Sequence, residues 1–160
     1  YEIPKRDWSS DVCSSDLDKP WGRGGTDIYR VRFINGRWSD PEILNSYINT
    51  TANEAFPFLL NDTTLYFASE GQFGFGGYDI FESIYRDGDW QPPRNMGYPI
   101  NTSADDFGYI VNSDQNYGYF TSNRNGKSDF IFSMKKLPPK ITVTGTVMSF
   151  PSNKIGRAHV

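Results

Sequence analysis

Cysteine and histidine are almost missing from this chain of 160 residues, which contains one of each, Cys13 and His159. Both lie in terminal segments that do not continue the sequence pattern beside them. Between those segments, no side chain can supply the thiolate or imidazole of a Cys/His zinc site, a Ser-His-Asp triad or a Cys-His dyad. A disulfide within the chain is also excluded, because it needs two cysteines, and the redox compartment therefore stays open.

The two terminal segments differ from the rest of the chain. The stretches "KRDWSSDVCSSDL" (residues 5–17) and "IGRAHV" (residues 155–160) resemble translated sequencing-adaptor read-through. A natural disordered tail is the alternative for the first stretch. Because segments of non-biological origin are excluded from fold reasoning, we treat residues 1–17 and 155–160 as non-native tails.

Positive charge and long hydrophobic runs are scarce as well. Residues 18–154 contain 13 Lys or Arg against 15 Asp or Glu, a balance that does not favour binding to a nucleic-acid phosphate backbone. No apolar run approaches the roughly 18 residues that a membrane-spanning helix needs. We therefore expect no nucleic-acid partner and no direct membrane insertion by this segment.

Aromatic residues are abundant, at 16% of the chain, and the sequence repeats itself. The stretch "GGTDIYRVRFINGRW" (24–38) and the stretch "GGYDIFESIYRDGDW" (76–90) are identical at six of fifteen positions and lie 52 residues apart. The similarity continues in "NTTANEAFPFLLNDTTLYFAS" (49–69) and "NTSADDFGYIVNSDQNYGYFTS" (101–122). Repeats of this length indicate an array of equivalent structural units.

Each repeat is predicted to form four short antiparallel strands. In the most complete copy these are residues 106–112, 117–122 and 129–134, preceded by a strand around residues 89–95. The segments "NSDQN" and "RDGD" contain the Asn, Asp and Gly that favour hairpin turns. Four antiparallel strands that recur every roughly 40–50 residues are typical of propeller blades. We therefore expect an all-β fold, a partial β-propeller of about two to three four-stranded blades.

The phrases "YFTSNRNGKSDFIFSMKK" and "LYFASEGQFGFGGYDIFES" resemble the TolB-type propeller repeat, in which an aromatic strand is followed by "SNR-x-G" and "D-I-Y". The phrase "NMGYPINTSADDFGY" is similar to the version in Bacteroidetes envelope proteins that end in an OmpA-like peptidoglycan-binding domain. By this resemblance, residues 18–136 are propeller blades. The segment "ITVTGTVM" (141–148) is similar to the start of a carboxypeptidase-regulatory-like domain. Residues 137–154 are therefore expected to be a linker and the first strand of a following β-sandwich.

The resemblance implies a non-catalytic propeller that serves as a protein-interaction or scaffold module. The parent would be a periplasmic, outer-membrane-associated protein of the OmpA family with a protein partner in the cell envelope. Peptidoglycan would be bound only through a further C-terminal domain, and no cofactor is implied. Two alternatives stay open: the propeller of a prolyl-oligopeptidase-like serine peptidase, followed by a G-x-S-x-G elbow, and a periplasmic glycan-binding propeller.

Two residue types recur at fixed register and are expected to be structural. Asp27, Asp79 and Asp129 would accept backbone N–H groups and fix the turn that enters the third strand. The alternative is a local calcium site, although calcium requires six to eight converging oxygen ligands. Trp38 and Trp90 would pack between blades, with exposed carbohydrate platforms as the alternative.

The candidate contact site is the connection "EGQFGFGGYD" (70–79), whose glycines free the backbone and whose aromatic residues offer apolar contact. In a propeller it would share one face with "SADD" (103–106) and "NRNGKSD" (123–129). The alternative is that the phenylalanines cap the edge of the blade. The candidate partner-binding residues are Glu70, Gln72, Phe73, Phe75, Tyr78, Asp105, Asp106, Asn123 and Arg124.

Overall fold

Short strands joined by tight turns make up the fold in the computed structural model, which describes residues 21–137. No helix occurs within this range, so the all-β prediction is confirmed there. The strands are β1 (Tyr29–Arg30), β2 (Phe33–Ile34), β3 (Arg37–Trp38), β4 (Glu42–Ile43), β5 (Glu54–Leu60), β6 (Thr64–Ser69), β7 (Asp79–Arg86), β8 (Asp89–Trp90), β9 (Arg94–Asn95), β10 (Asp106–Val111), β11 (Tyr117–Ser122) and β12 (Phe130–Lys135).

The strands fall into three repeat units, and all of their pairings are antiparallel. Unit 1 contains β1–β4, in which β1 pairs with β4 and β2 pairs with β3. Unit 2 is the sheet β5-β6-β7-β8, with β9 also paired to β7. Unit 3 is the sheet β10-β11-β12. The sheets are small and open. Short connections rich in Gly and Asn join their strands.

The spacing of 52 residues is reproduced in the strand pairing. Phe33 pairs with Trp38 in unit 1, as Tyr85 pairs with Trp90 in unit 2. The intervening turns are Asn35-Gly36 and Asp87-Gly88, and all four residues have positive φ. Asn-Gly and Asp-Gly are the dipeptides that a two-residue hairpin turn of this kind prefers. Equivalent sequence has therefore produced equivalent local structure.

Two hydrophobic clusters lie between the units and hold the sheets face to face. Both are built mainly from Ile, Leu and aromatic side chains that alternate along the strands. The first cluster joins units 1 and 2 and contains Ile28, Leu44, Ile48, Leu65, Phe67, Phe81 and Trp90. The second joins units 2 and 3 and contains Leu60, Tyr66, Ile80, Tyr109, Val111 and Phe120.

One predicted strand belongs to a different unit from the one expected. Residues 89–95 form β8 and β9, which pair with β7 of unit 2 rather than joining unit 3. The two-residue turn at Asp87-Gly88 returns the chain directly beside β7. The free edge of β7 is therefore the nearest edge with which residues 89–95 can pair. Within residues 21–137, unit 3 consequently has three strands.

The recurrence of Asp129 is not matched by its structural position. Ser69 pairs with Asp79 in unit 2, whereas the equivalent Ser122 pairs with Phe130 in unit 3. A shift of one residue in register moves a side chain to the opposite face of a sheet. Asp129 is accordingly exposed, while Asp27 and Asp79 are buried.

Several predicted segments lie outside the described residues: the tails at 1–17 and 155–160 and the expected sandwich strand at 141–148. In the part of the chain that is described, no helix has the length and apolar character needed to cross a bilayer.

Candidate functional site

Four connections lie at the same end of the three units. Ser69 is opposite Glu54 on one side and Asp79 on the other, which places the start of β5, the end of β6 and the start of β7 at one edge. Asp106 is likewise opposite Ser122. We call this edge the loop end, and it comprises residues 44–53, 70–78, 96–105 and 123–129.

The β6–β7 connection within the loop end is held in one conformation by side chains of its neighbours. Asp79 Oδ2 accepts hydrogen bonds from the backbone N–H groups of Phe75 (2.6 Å) and Gly76 (3.0 Å). Ser69 Oγ accepts from the N–H of Gln72 at 3.1 Å. A Cβ at position 74 would overlap Asp79 Oδ2, so Gly74 is required for this close approach. The connection is thus preorganised.

This fixed connection presents two phenylalanines to solvent. Phe73 is 98% exposed and Phe75 is also exposed. Asn95 Nδ2 donates to the carbonyl oxygen of Phe73 at 3.5 Å. Tyr98, in the loop-end connection that follows Asn95, is also exposed. With this exposure, Phe73 does not pack against the edge of a described sheet, which was the alternative expectation for this residue.

Unit 1 has an equivalent exposed aromatic residue that the sequence analysis missed. Trp21 lies 52 residues before Phe73 and is 73% exposed. It opens the stretch "WGRGGTD", which matches "FGFGGYD", and Asp27 Oδ2 accepts from the N–H of Arg23 at 2.7 Å as Asp79 does from that of Phe75. The repeated G-x-G-G-x-D spacing was the signal that would have identified Trp21.

Tyr78 belongs to a second aromatic group at the loop end. Its ring lies 6.1 Å from the ring of Phe56 and 6.5 Å from that of Phe107, and the latter two stack at 4.7 Å. Phe56 adopts φ 52° at a β-bulge, where the equivalent residue of unit 3 is Gly108 with φ 65°. Positive φ is rare for a bulky residue. Sequence reasoning also missed Phe56, because a bulge leaves no mark in the alternation of residues.

Asp105 and Asn123 bond to each other and to the neighbouring loop instead of facing solvent. Asn123 Nδ2 donates to Asp105 Oδ2 at 2.9 Å, and the N–H of Tyr78 donates to Asp105 Oδ1 at 3.2 Å. The equivalent bond in unit 2 runs from Asn53 Nδ2 to Glu70 Oε2 at 2.6 Å. These side chains therefore stabilise the connections between units.

Asp106 and Arg124 form a buried ion pair. The Asp106 carboxylate is fully buried and accepts from Arg124 Nη2 at 2.6 Å and from the N–H of Thr102 at 2.6 Å. The guanidinium carbon of Arg124 also lies 5.0 Å from the ring centroids of both Phe120 and Phe132. Arg124 has a structural role in this arrangement, although it is one of the candidate partner-binding residues.

In unit 2, the neutral side chain of Gln72 makes the contact that Arg124 makes in unit 3. Gln72 Nε2 donates to the carbonyl oxygen of Tyr47 at 2.7 Å, as Arg124 Nη1 donates to that of Pro99 at 2.8 Å. Glu54, which is equivalent to Asp106 and fully buried, accepts from Ser69 Oγ at 2.7 Å. It also accepts from the N–H and the hydroxyl of Thr50. Gln72 is thus committed to internal contacts as well.

The recurring Trp residues have different environments. Trp90 is 3% exposed and packs in the cluster between units 1 and 2, as expected. Trp38 is 55% exposed, and its expected packing between blades stays a prediction. Among residues 21–137, no unit precedes unit 1, so the pocket that Trp90 occupies has no counterpart for Trp38.

The recurring carboxylates do not converge on one point. Asp27 and Asp79 each use Oδ2 in a turn, and Oδ1 of each has no hydrogen-bond partner among residues 21–137. Within the same range, no three His, Cys, Asp or Glu residues are grouped so that they could hold a metal ion.

At the interface between units 2 and 3, the surroundings of two buried tyrosines raise their pKa values. Burial, together with the negative charge of Glu82, raises the pKa of Tyr109 to about 12. Burial and a hydrogen bond of 2.9 Å from its hydroxyl to Glu82 Oε1 raise the pKa of Tyr66 further. Both phenols therefore stay protonated at neutral pH.

Comparison of the chain with protein-family models, with curated proteins and with solved structures finds no match in any of the three.

Proposed function

We propose that the chain is a non-catalytic interaction module, part of a TolB-type β-propeller, whose loop end is buried by a protein partner. The observation that carries this proposal is Phe73, which is 98% exposed on a connection fixed by Asp79 and Ser69. A large apolar side chain on a preorganised loop loses little conformational entropy when it is buried by a partner. Aromatic residues are also enriched among interface hot spots.

The propeller is supported by two features of the repeat units. Equivalent hairpins occur in units 1 and 2 at a spacing of 52 residues, and each pair of adjacent units shares one hydrophobic cluster. Antiparallel sheets that pack face to face in a repeated array are the construction of a propeller. Units of this kind hold their connecting loops on a rigid scaffold, where binding residues are commonly placed.

The envelope setting is a further part of the proposal, and it rests on the resemblance of "NMGYPINTSADDFGY" to OmpA-family envelope proteins. The parent protein would be periplasmic and associated with the outer membrane. Its protein partner would lie in the cell envelope, and peptidoglycan would be bound by another domain. The loop end, on which Phe73, Phe75 and Tyr98 are exposed, has the chemistry of a protein contact.

The experiment replaces Phe73 by a photo-crosslinking phenylalanine analogue and exposes the chain to an envelope extract from a bacterium of the Bacteroidetes group. Ile34, which is exposed on the hairpin of unit 1 away from the loop end, receives the same analogue as the matched control. We expect a discrete crosslinked adduct from position 73 and none from position 34. Excess unlabelled chain should abolish that adduct by competition.

A chain carrying Phe73→Ser and Phe75→Ser should fold normally, as judged by circular dichroism, and should fail to compete for the adduct. Competition equal to that of the unsubstituted chain would overturn the proposed contact. Loss of folding would show instead that the two phenylalanines stabilise the unit. A glycan array probed with the original chain, with this double variant and with a Trp21→Ser variant tests the alternative, because binding that requires Trp21 rather than Phe73 would identify a glycan-binding propeller.

A further inference from the structure

Two Asn-Gly dipeptides occur in the sequence, Asn35-Gly36 and Asn125-Gly126, and both lie on exposed turns. Asn followed by Gly is the pair most prone to spontaneous deamidation, because glycine has no Cβ to hinder attack by its own backbone nitrogen. Exposure of the first turn does not depend on a neighbouring unit. Its counterpart in unit 2, Asp87-Gly88, is also exposed although unit 1 packs against unit 2.

The second dipeptide ends a turn that its glycine closes. The N–H of Gly126 donates to the carbonyl oxygen of Asn123 at 3.0 Å. This is the bond between the first and fourth residues of a β-turn. The Gly126 nitrogen can reach the side chain of Asn125 only by rotating out of that position, so a hydrogen bond has to break before the nitrogen can attack.

The first dipeptide occupies the centre of its turn. Asn35 and Gly36 have φ 51° and 78°, as a type I′ turn requires, and the flanking Ile34 and Arg37 pair with each other. Among residues 21–137, neither the N–H of Gly36 nor the side chain of Asn35 has a hydrogen-bond partner. Rotation of the central peptide gives a type II′ turn, which also suits a two-residue hairpin. This rotation turns the Gly36 nitrogen toward the Asn35 side chain and leaves the flanking pair intact.

We propose that Asn35 is a site of spontaneous covalent modification, at which deamidation is faster than at Asn125. The Gly36 nitrogen attacks Cγ of Asn35, and a new C–N bond forms as the bond from Cγ to the amide nitrogen breaks. Ammonia leaves with the proton of the Gly36 N–H, and a five-membered succinimide remains. Water then opens the succinimide at either carbonyl carbon, which gives aspartate or isoaspartate without any oxidant or reductant.

The two products differ in how they fit the hairpin. Aspartate at position 35 reproduces the Asp-Gly turn of unit 2, in which Asp87 has φ 57°. Isoaspartate adds one methylene group to the main chain, which shifts β3 along β2 and should separate Phe33 from Trp38. The modification goes beyond the proposed function, because this hairpin lies away from the loop end and from Phe73.

The experiment is incubation of the full chain in neutral buffer, followed by peptide mapping with mass spectrometry. Isoaspartate is identified by its labelling with isoaspartyl methyltransferase and labelled S-adenosylmethionine. Circular dichroism of the same sample monitors the fold. We expect product to accumulate at position 35 roughly fivefold faster than at position 125, which is the rate equivalent of one hydrogen bond that must break first.

The matched control is the same chain incubated in urea, where both turns are unfolded. The two Asn-Gly dipeptides should then react at similar rates, because the hydrogen bond of Gly126 is absent. Equal rates in the folded chain, or faster reaction at Asn125, would overturn the proposal. A preference for Asn35 that persisted unchanged in urea would overturn it too, since the cause would then be sequence and not the position of each glycine in its turn.

Discussion

At the scale of single residues, the ion pair between Asp106 and Arg124 contributes to the packing of unit 3 as well as to its charge balance. The guanidinium lies against the rings of Phe120 and Phe132, which stack on each other, so the side chain is held by apolar contact and by hydrogen bonds together. Asp106 has no contact with solvent. A carboxylate in that position depends on its cation, since an unpaired buried charge is costly.

Replacing the cation tests this dependence. Arg124→Gln copies the neutral side chain that unit 2 uses at Gln72, and it leaves the Asp106 carboxylate without its ion pair. We expect a loss of about 3 kcal/mol in the free energy of unfolding, measured by urea denaturation. The matched control is Arg86→Gln. Arg86 Nε lies 3.7 Å from Asp87 Oδ2, and both side chains are highly exposed. Exposed ion pairs contribute little to stability. Equal stability of the two variants would contradict a structural role for Arg124.

The roles of individual side chains were only partly predictable from the sequence. Turn formation by Asp79 followed from its place before a strand, since Asp accepts backbone N–H groups at turns. The internal use of Asp105 and Arg124 did not follow, because their partners Asn123 and Asp106 come close only when β10 pairs with β11. The sequence of a polar loop is the same kind of sequence whether its side chains face solvent or bond to another loop, so it does not distinguish the two cases.

At the scale of strands, units 1 and 2 carry the same cross-strand ion pair with its charges exchanged. Arg30 on β1 binds Glu42 on β4 at 2.8 Å. At the equivalent positions, Glu82 on β7 binds Arg94 on β9 at 2.8 Å. Exchange of β4 and β9 between the units would bring like charges together, which is unfavourable across a strand pair. The exchanged charges therefore favour pairing of each strand within its own unit.

The charge order can be tested by reversal. Arg30→Glu places two carboxylates across β1 and β4 and should cost about 1 kcal/mol of stability. Adding Glu42→Arg should restore most of that loss, which a double-mutant cycle in denaturant measures. The double variant gives both units the same charge order, so its refolding yield from denaturant should fall below that of the original chain. An unchanged refolding yield would show that the ion pairs do not guide strand pairing.

The positions of strands were more predictable than their partners. The strand at Tyr117–Ser122 was placed correctly, because alternation and turn residues are local signals. Residues 89–95 were assigned to the wrong unit, since a segment between two repeats resembles the end of one as much as the start of the next. Asp129 was misplaced for a related reason. The connection before it is shorter than that before Asp79, and the shift in register appears only once Ser122 pairs with Phe130.

At the scale of the whole molecule, stability is shared between neighbouring units. Unit 2 contributes to both hydrophobic clusters, with Trp90 in the cluster toward unit 1 and Ile80 in the cluster toward unit 3. No cluster of the described residues joins unit 1 directly to unit 3. In such an array, stability is approximately a sum of the intrinsic stabilities of the units and of the interfaces between neighbours.

Hydrogen exchange of two variants can separate the two interfaces. Ile80→Ala removes a fully buried side chain from the second cluster, at a cost of about 3 kcal/mol. It should speed amide exchange in β10–β12 more than in β1–β4. Trp90→Ala removes the aromatic centre of the first cluster and should produce the reverse pattern, because unit 1 then loses its main contact. If both variants accelerated exchange equally in all strands, the chain would unfold as one indivisible body, and coupling only between neighbours would be wrong.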